Sequence, residues 1–170
     1  MQKTNAFKQS FLKTMLLGLK LGVSSKKMSY QERKRTIKLS ANIAMAVAGD
    51  GRHWSLAIIA HHAKQEKNKT LMWRMLGRRR CEKARTENSP RISSRLRRRS
   101  QAEIIAKSPV KKRTEILKRL VPGGEAMDDL SLLGEAIDYV ISLQAQVDLM
   151  KLIIQTFSKP SSNSHSVLST

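Results

Sequence analysis

Between residues 7 and 19, apolar Phe7, Phe11, Met15 and Leu19 recur every four positions, with Leu12 and Leu16 beside them. That spacing puts them on one face of a helix, predicted to end at Gly22. A second helix is predicted from Ser29, because Ser29 and Glu32 have capping-box spacing. The hydroxyl can cap a free amide of the first turn while the carboxylate reaches back. Ile37, Ile43, Ala44 and Val47 share its apolar face, and Gly49-Asp50-Gly51 makes a stop and a turn. A third helix is expected from about Ser55 to Met75, carrying Leu56, Ile58, Ile59, Leu71 and Met72, with polar Lys64 to Thr70 as an interruption. These helices can pack into a small bundle or stay partly disordered until a partner arrives, and the few aromatics lean towards the second.

The pattern vanishes over residues 77–100, where arginine dominates. This reads as a linker with two basic clusters, Arg78, Arg79 and Arg80, then Arg95, Arg97, Arg98 and Arg99. Such clusters serve nuclear import or phosphate binding; the plain alternative is a solvated charge run. Periodicity returns at Ser108-Pro109, a helix start in which Ser caps and Pro occupies the first turn. Val110, Leu117, Leu120 and Val121 form its apolar face, flanked by Ile116, and Pro122-Gly123-Gly124 ends it. Asp128-Asp129 can cap the next helix.

That last helix is long. Leu130, Leu133, Ile137, Val140, Val147 and Ile154 alternate three-and-four spacing, with gaps at Gln144 and Lys151 and widening at Leu143 and Met150. This is a coiled-coil-like seam of about 28 residues, roughly 42 Å at the usual rise. One helical hairpin cannot bury such a stripe, so it needs a second copy, another protein carrying the same unit, or the N-terminal helices of its own chain. Charge separates the two helices. Lys111, Lys112, Arg113, Lys118 and Arg119 lie on the first, while Glu125, Asp128, Asp129, Glu135, Asp138 and Asp148 lie on or before the second. That asymmetry can bias the choice of partner.

The organisation expected is therefore amphipathic helices over 1–76, an Arg-rich linker over 77–100, a basic region and two-helix unit over 101–157, and a disordered Ser-rich tail over 158–170. The 170 residues carry a net charge of +20, with 40% apolar residues but only 4% aromatics. The basic excess points to an anionic partner or to solubility and nuclear import. A single cysteine, Cys81, rules out an internal disulfide and is expected to be a surface thiol in the linker. No apolar run approaches the ~20 residues of a membrane span. Residues 1–31 lack Asp and Glu, which also fits a mitochondrial presequence as a lesser reading.

Nothing suggests an enzyme, a cofactor, a metal site or a small-molecule substrate. His61 and His62 are adjacent and point about 100° apart on a helix, a poor ligand pair. Glycine is too sparse for a phosphate loop. Trp54, Trp73, Tyr30 and Tyr139 are too scattered to stack successive bases.

The stretch LKRLVPGGEAMDDLSLLGEAIDYVISLQAQV, Leu117 to Val147, resembles the helix-loop-helix of plant basic helix-loop-helix transcription factors. The Leu-Val-Pro-Gly end of the first helix and Leu-x-Glu-Ala-Ile-x-Tyr-Val-x-x-Leu-Gln-x-Gln-Val in the second carry it. FLKTMLLGLKLG, MSYQERKRTIKLSANIAMAVA and HWSLAIIAHHA resemble the N-terminal half of the atypical plant members that bind increased-leaf-inclination proteins. The resemblance implies an all-α fold that forms a parallel four-helix bundle on dimerisation. Its implied core is Val110, Leu117, Leu120, Leu133, Ile137, Val140, Leu143 and Val147. It further implies a nuclear regulator without enzymatic activity that restrains cell elongation, in the setting of growth hormones such as brassinosteroid.

In DNA-binding members a basic helix runs into helix one and places His, Glu and Arg at four-residue spacing against base edges. Aligned without a gap, those positions are Arg99, Glu103 and Lys107 here. Glu103 survives and Lys107 keeps a charge. However, Ile104, Ile105 and Ala106 are apolar where the family is basic, and Pro109 interrupts helical continuity at about 3 kcal/mol. Asp129 replaces a Lys near the DNA backbone. A bidentate base contact is worth only about 1–3 kcal/mol, so these losses outweigh it. The expectation is at most weak, non-specific DNA binding, with helix-loop-helix proteins as partners in a heterodimer or homodimer. The alternatives are a heterodimer that still binds DNA and a general basic nucleic-acid-binding protein.

Overall fold

The computed structural model describes residues 2–23, 28–87 and 108–158. The described residues are helical with no strand: α1 (Gln2–Gly22), α2 (Tyr30–Ala48), α3 (His53–Ala63), α4 (Glu66–Leu76), α5 (Arg78–Glu87), α6 (Ser108–Leu120) and α7 (Asp129–Ser158). The all-α expectation holds.

Local chemistry sets several boundaries. Ser29 Oγ accepts from the Glu32 amide at 3.2 Å while the Ser29 amide donates to the Glu32 carboxylate at 2.9 Å, closing the predicted capping box. These bonds hold the Glu32 carboxyl below its ordinary pKa, led by the backbone bond to Ser29. Gly49 caps α2, and Asp50 (φ 42°) with Gly51 (φ 81°) turns the chain into α3.

Two expectations need correction. The interruption expected over Lys64 to Thr70 is confined to Lys64-Gln65, which splits the third helix in two, and the polar residues from Glu66 onward are helical. Glu66 places an acid in the first turn of α4, where the helix dipole favours it. The linker expected from residue 77 begins instead as α5. Cys81 and Ala84 of α5 are buried, so Cys81 is no surface thiol; burial, with Glu82, raises its pKa.

The core of the N-terminal bundle joins Phe11 and Met15 of α1, Ile43 and Met45 of α2, Trp54 and Ile59 of α3, and Met72 of α4, all essentially inaccessible. The bundle is packed rather than open. Its core is continuous with Leu132, Ala136 and Leu149 of α7, so the C-terminal helix is docked on it.

Candidate functional site

Helices α6 and α7 form a hairpin whose closure follows from the Pro-Gly-Gly loop. Gly123 is left-handed (φ 77°, ψ 3°), a conformation open to glycine at no steric cost. A side chain at Gly124 would meet the Lys118 carbonyl oxygen at 2.8 Å and Leu132 Cδ1 at 3.0 Å, so only glycine lets the loop pass so close. A short 3-10 turn over Gly124–Ala126 follows. Asp128 Oδ2 then accepts from the Ser131 amide at 3.1 Å, the acidic cap expected for α7, and this bonding depresses the Asp128 pKa. Lys118 reaches Asp129 at 3.2 Å and ties the end of α6 to the start of α7. The opposite charges of the two helices thus meet in part within one chain.

Helix α7 has two apolar faces. At about 100° per residue their centres lie roughly 100° apart. One carries Leu132, Ala136 and Leu149, which are buried, with Tyr139, Leu143 and Met150 partly buried beside them. This face is fixed to α3 by polar contacts. The Trp54 backbone amide donates to Glu135 Oε2 at 3.3 Å, and its indole Nε1 donates to Asp138 Oδ2 at 2.9 Å. Arg52 lies 3.4 Å from Asp138 and 4.0 Å from Glu135, and the Trp54 and Tyr139 rings pack 5.4 Å apart. Glu135 therefore serves the N-terminus of α3, where no side chain of α3 itself caps the free amides, while Asp138 holds the Trp54 indole and Arg52.

The other face is the predicted seam. Leu133, Ile137, Val140 and Val147 are 48–62% exposed, and Leu120 on α6 is 66% exposed. Leu130, Ile141, Leu152, Ile154 and, on α6, Ile116 are exposed as well. Leu117 and Leu143 are half-buried against the core, and Leu143 lines a cavity beside His61, Lys64 and Pro122. Val110 lies in the first turn of α6. The N-terminal helices thus take the back face of α7 and leave the seam to solvent.

Of the basic residues, Arg78, Arg79 and Arg80 are exposed on α5, and Arg78 stacks over Trp73 at 4.7 Å. Arg95, Arg97, Arg98, Arg99, Glu103 and Lys107 lie outside the described residues. His62 is half-buried between Asn42 and Asn68, each at 3.4 Å, and burial lowers its pKa to about 4. Both neighbours present amide nitrogens, which donate, and the neutral ring has one unprotonated nitrogen to accept from them. Among the described residues no group of three or more His, Cys, Asp or Glu is placed to hold a metal, and no helix is long and apolar enough to cross a membrane.

The docking pair, Trp54 with Glu135 and Asp138, was not foreseen. The partners lie more than 80 residues apart, so no local spacing links them. The available signal was the i, i+3 placement of Glu135 and Asp138 around Ala136, away from the seam.

Residues 4–66 match the IBH1-like N-terminal domain family, which spans α1 to α3. The chain is 36% identical to a protein of Arabidopsis thaliana named transcription factor IBH1-like 1, over 91% of this chain and 95% of that one. It is 36% identical to transcription factor IBH1 of Oryza sativa subsp. indica, over 74% of this chain and 68% of that one. It is 33% identical to transcription factor bHLH148 of Arabidopsis thaliana, over 75% of this chain and 59% of that one. No solved structure matches. The family shared with these relatives is one of transcription factors, which act in transcription rather than as enzymes, and this chain belongs to that IBH1-like family.

Proposed function

We propose that this transcription regulator pairs through the α6–α7 seam with DNA-binding helix-loop-helix factors and withdraws them from DNA. The observation that carries the reading is the exposure of Leu133, Ile137, Val140 and Val147 while the other apolar face of α7 is already filled by the same chain. Contiguous exposed apolar surface of this kind marks an interaction site. Val110, Leu117, Leu120 and Leu143 complete the pairing surface in this reading, with Leu117 and Leu143 adjusting their packing as the partner arrives.

Inhibition follows by subtraction. A DNA-bound helix-loop-helix dimer needs two basic regions for two half-sites. This chain offers Arg99, Glu103 and Lys107 with Ile104, Ile105 and Ala106 between them, which supplies little phosphate contact. Asp129, already bound to Lys118, adds negative charge where a phosphate contact would lie. The pair grips poorly, and repression is set by the concentration and affinity of the chain. In this reading the protein acts in the nucleus, with Arg78 to Arg80 and Arg95 with Arg97 to Arg99 as import signals. It restrains cell elongation and brassinosteroid-linked growth.

The test is fluorescence anisotropy of an E-box duplex bound by a typical basic helix-loop-helix factor, with this protein titrated in. The expected result is loss of the DNA complex by wild type and no effect of Val140→Asp. A larger ternary complex would instead support a DNA-binding heterodimer that uses Glu103 and Lys107. Sequence-selective nanomolar binding by the protein alone at physiological salt would overturn the non-binding part of the reading.

A further inference from the structure

Away from the seam, a groove of about 720 Å³ runs between α2 and α4 on the N-terminal bundle. Arg35 and Lys38 stand on its α2 wall and Lys67 and Arg74 on its α4 wall, all four exposed. Their spacings, i and i+3 on α2 and i and i+7 on α4, keep each pair on one side of its helix. Glu32 is the one acid in the lining, and Ser29 already engages it in the capping box. Lys38, Lys67 and Arg74 have no ion-pair partner among the described residues. Between the walls lie buried Leu39 and half-buried Leu21 and Leu71. The trough thus has leucines on its floor beside polar Thr36, Asn42, His62 and Asn68, and cations on both rims.

We propose that this groove is a docking site for an acidic amphipathic helix of a partner protein. Leucine- or phenylalanine-type side chains of that helix meet Leu21, Leu39 and Leu71, and its carboxylates meet the four cations. The α4 wall from Lys67 to Arg74 covers about two helical turns, which fits anchors at i, i+3 or i+4, and i+7. The occupant is not another part of this chain. Residues 88–107 carry Arg91, Arg95, Arg97, Arg98, Arg99 and Lys107 against Glu103 alone, and residues 159–170 hold no acid. On α7, Asp129, Glu135 and Asp138 are occupied by Lys118, Arg52 and Trp54, and Asp148 accepts from Gln144 of the same helix. A nucleic-acid duplex would meet the cations with its phosphates but has no apolar side chain to set against Leu21, Leu39 and Leu71. The site is independent of the pairing seam, so the regulator can hold a second protein while its seam is engaged.

The test uses the full chain and a fluorescein-labelled peptide of about four helical turns, with leucines at helical spacing and Asp or Glu elsewhere. A scrambled peptide of identical composition and a DNA duplex are the comparison probes. Lys38→Glu/Arg74→Glu is the groove variant, and Lys8→Glu/Lys13→Glu, on the exposed side of α1, is its charge-matched control. The expected result is binding of the patterned peptide at least about tenfold tighter than the scrambled one. It is lost by about the same factor in the groove variant and kept in the control and in Val140→Asp. Equal binding of both peptides, or equal loss in both charge variants, would reduce the effect to net charge and overturn the proposal. Preferential binding of the duplex with the same dependence on Lys38 and Arg74 would also overturn it, making the groove a phosphate site. Unchanged far-ultraviolet circular dichroism of the groove variant ties its loss to the groove and not to unfolding.

Discussion

The two faces of α7 are made from the same residue types and have opposite fates. Leu132 is fully buried and Leu133, one residue on, is more than half exposed. Leucine content does not separate them; polar anchoring does. The buried face carries Glu135 and Asp138, which bond the amide and indole of Trp54, whereas the seam has Gln144 and Lys151 at its polar gaps and exposed apolar side chains between them. A helix apolar all round is normally enclosed. Here the chain encloses one side and leaves the other exposed, the side that the proposed function gives to a partner.

The widest separation between the faces comes from charge insertion on the seam. Val140→Asp changes a residue that touches solvent, so the stability of the monomer shifts by no more than about 0.5 kcal/mol. The same carboxylate buried between helices of a heterodimer costs several kcal/mol, so affinity for a helix-loop-helix partner falls at least about 100-fold. Urea unfolding of the monomer and titration of a labelled partner measure the two quantities. A large fall in monomer stability would show that the seam is packed inside the chain and would erase the distinction between the faces.

Truncation on the buried side should do the reverse. Trp54 is fully buried and joins α3 to α7. Trp54→Ala is expected to destabilise the chain by about 3–5 kcal/mol, the usual range for a large buried aromatic. Partner affinity per folded molecule changes much less. If urea unfolding moves by under about 1 kcal/mol, α7 is not held on the bundle as described, since surface positions behave that way.

What could be read from the chain divides along the same line. The Ser29–Glu32 box, the stop at Gly49 to Gly51, the Pro-Gly-Gly turn and the seam are short-range patterns, and each is local physics within one or two turns. Helix α5 was missed because Cys81 and Ala84 are its buried residues, too small a stripe to stand out among arginines. Its Arg, Lys, Glu and Ala are strong helix formers, and that propensity was the available signal. The polar face of α4 towards solvent reads like a loop, so the sequence pattern makes the break at Lys64-Gln65 look wider than it is. The back face of α7 is invisible for a different reason: Leu132 and Leu133 look alike until the N-terminal bundle supplies a surface, and that surface depends on tertiary packing. Within the expected pairing set, the described seam residues differ in the same way, Leu133 and Val140 open to solvent and Leu117 and Leu143 leaning on the core.

The polar anchors permit a finer test. Asp138→Ala removes the acceptor of a buried indole N–H and should cost about 1–3 kcal/mol. Asp138→Asn keeps an oxygen for the indole and loses only the pairing with half-exposed Arg52, a contribution of about 0–1 kcal/mol. Equal losses in the two variants would move the stabilisation from the hydrogen bond to the ion pair. High salt should then weaken the wild type to match, because exposed pairs are screened.

The smallest expected effect lies furthest from α7. Ser29→Ala should cost roughly 1 kcal/mol by loss of the cap on α2, read from the thermal or urea midpoint. It should also alter the acid limb. Glu32 sits below its ordinary value of 4.5 in the folded chain, chiefly through the backbone and side-chain bonds with Ser29. The carboxylate is therefore favoured by folding, and its contribution is complete above the ordinary value. That contribution fades as pH falls through the lowered one, because the unfolded chain takes up the proton first. The alanine variant keeps the reach of Glu32 to the residue-29 amide but loses the hydroxyl, so wild type and variant should converge on acidification below 4.5. If the gap between them stays constant down to full protonation, the hydroxyl acts through the Glu32 amide alone, and the two halves of the box are not coupled.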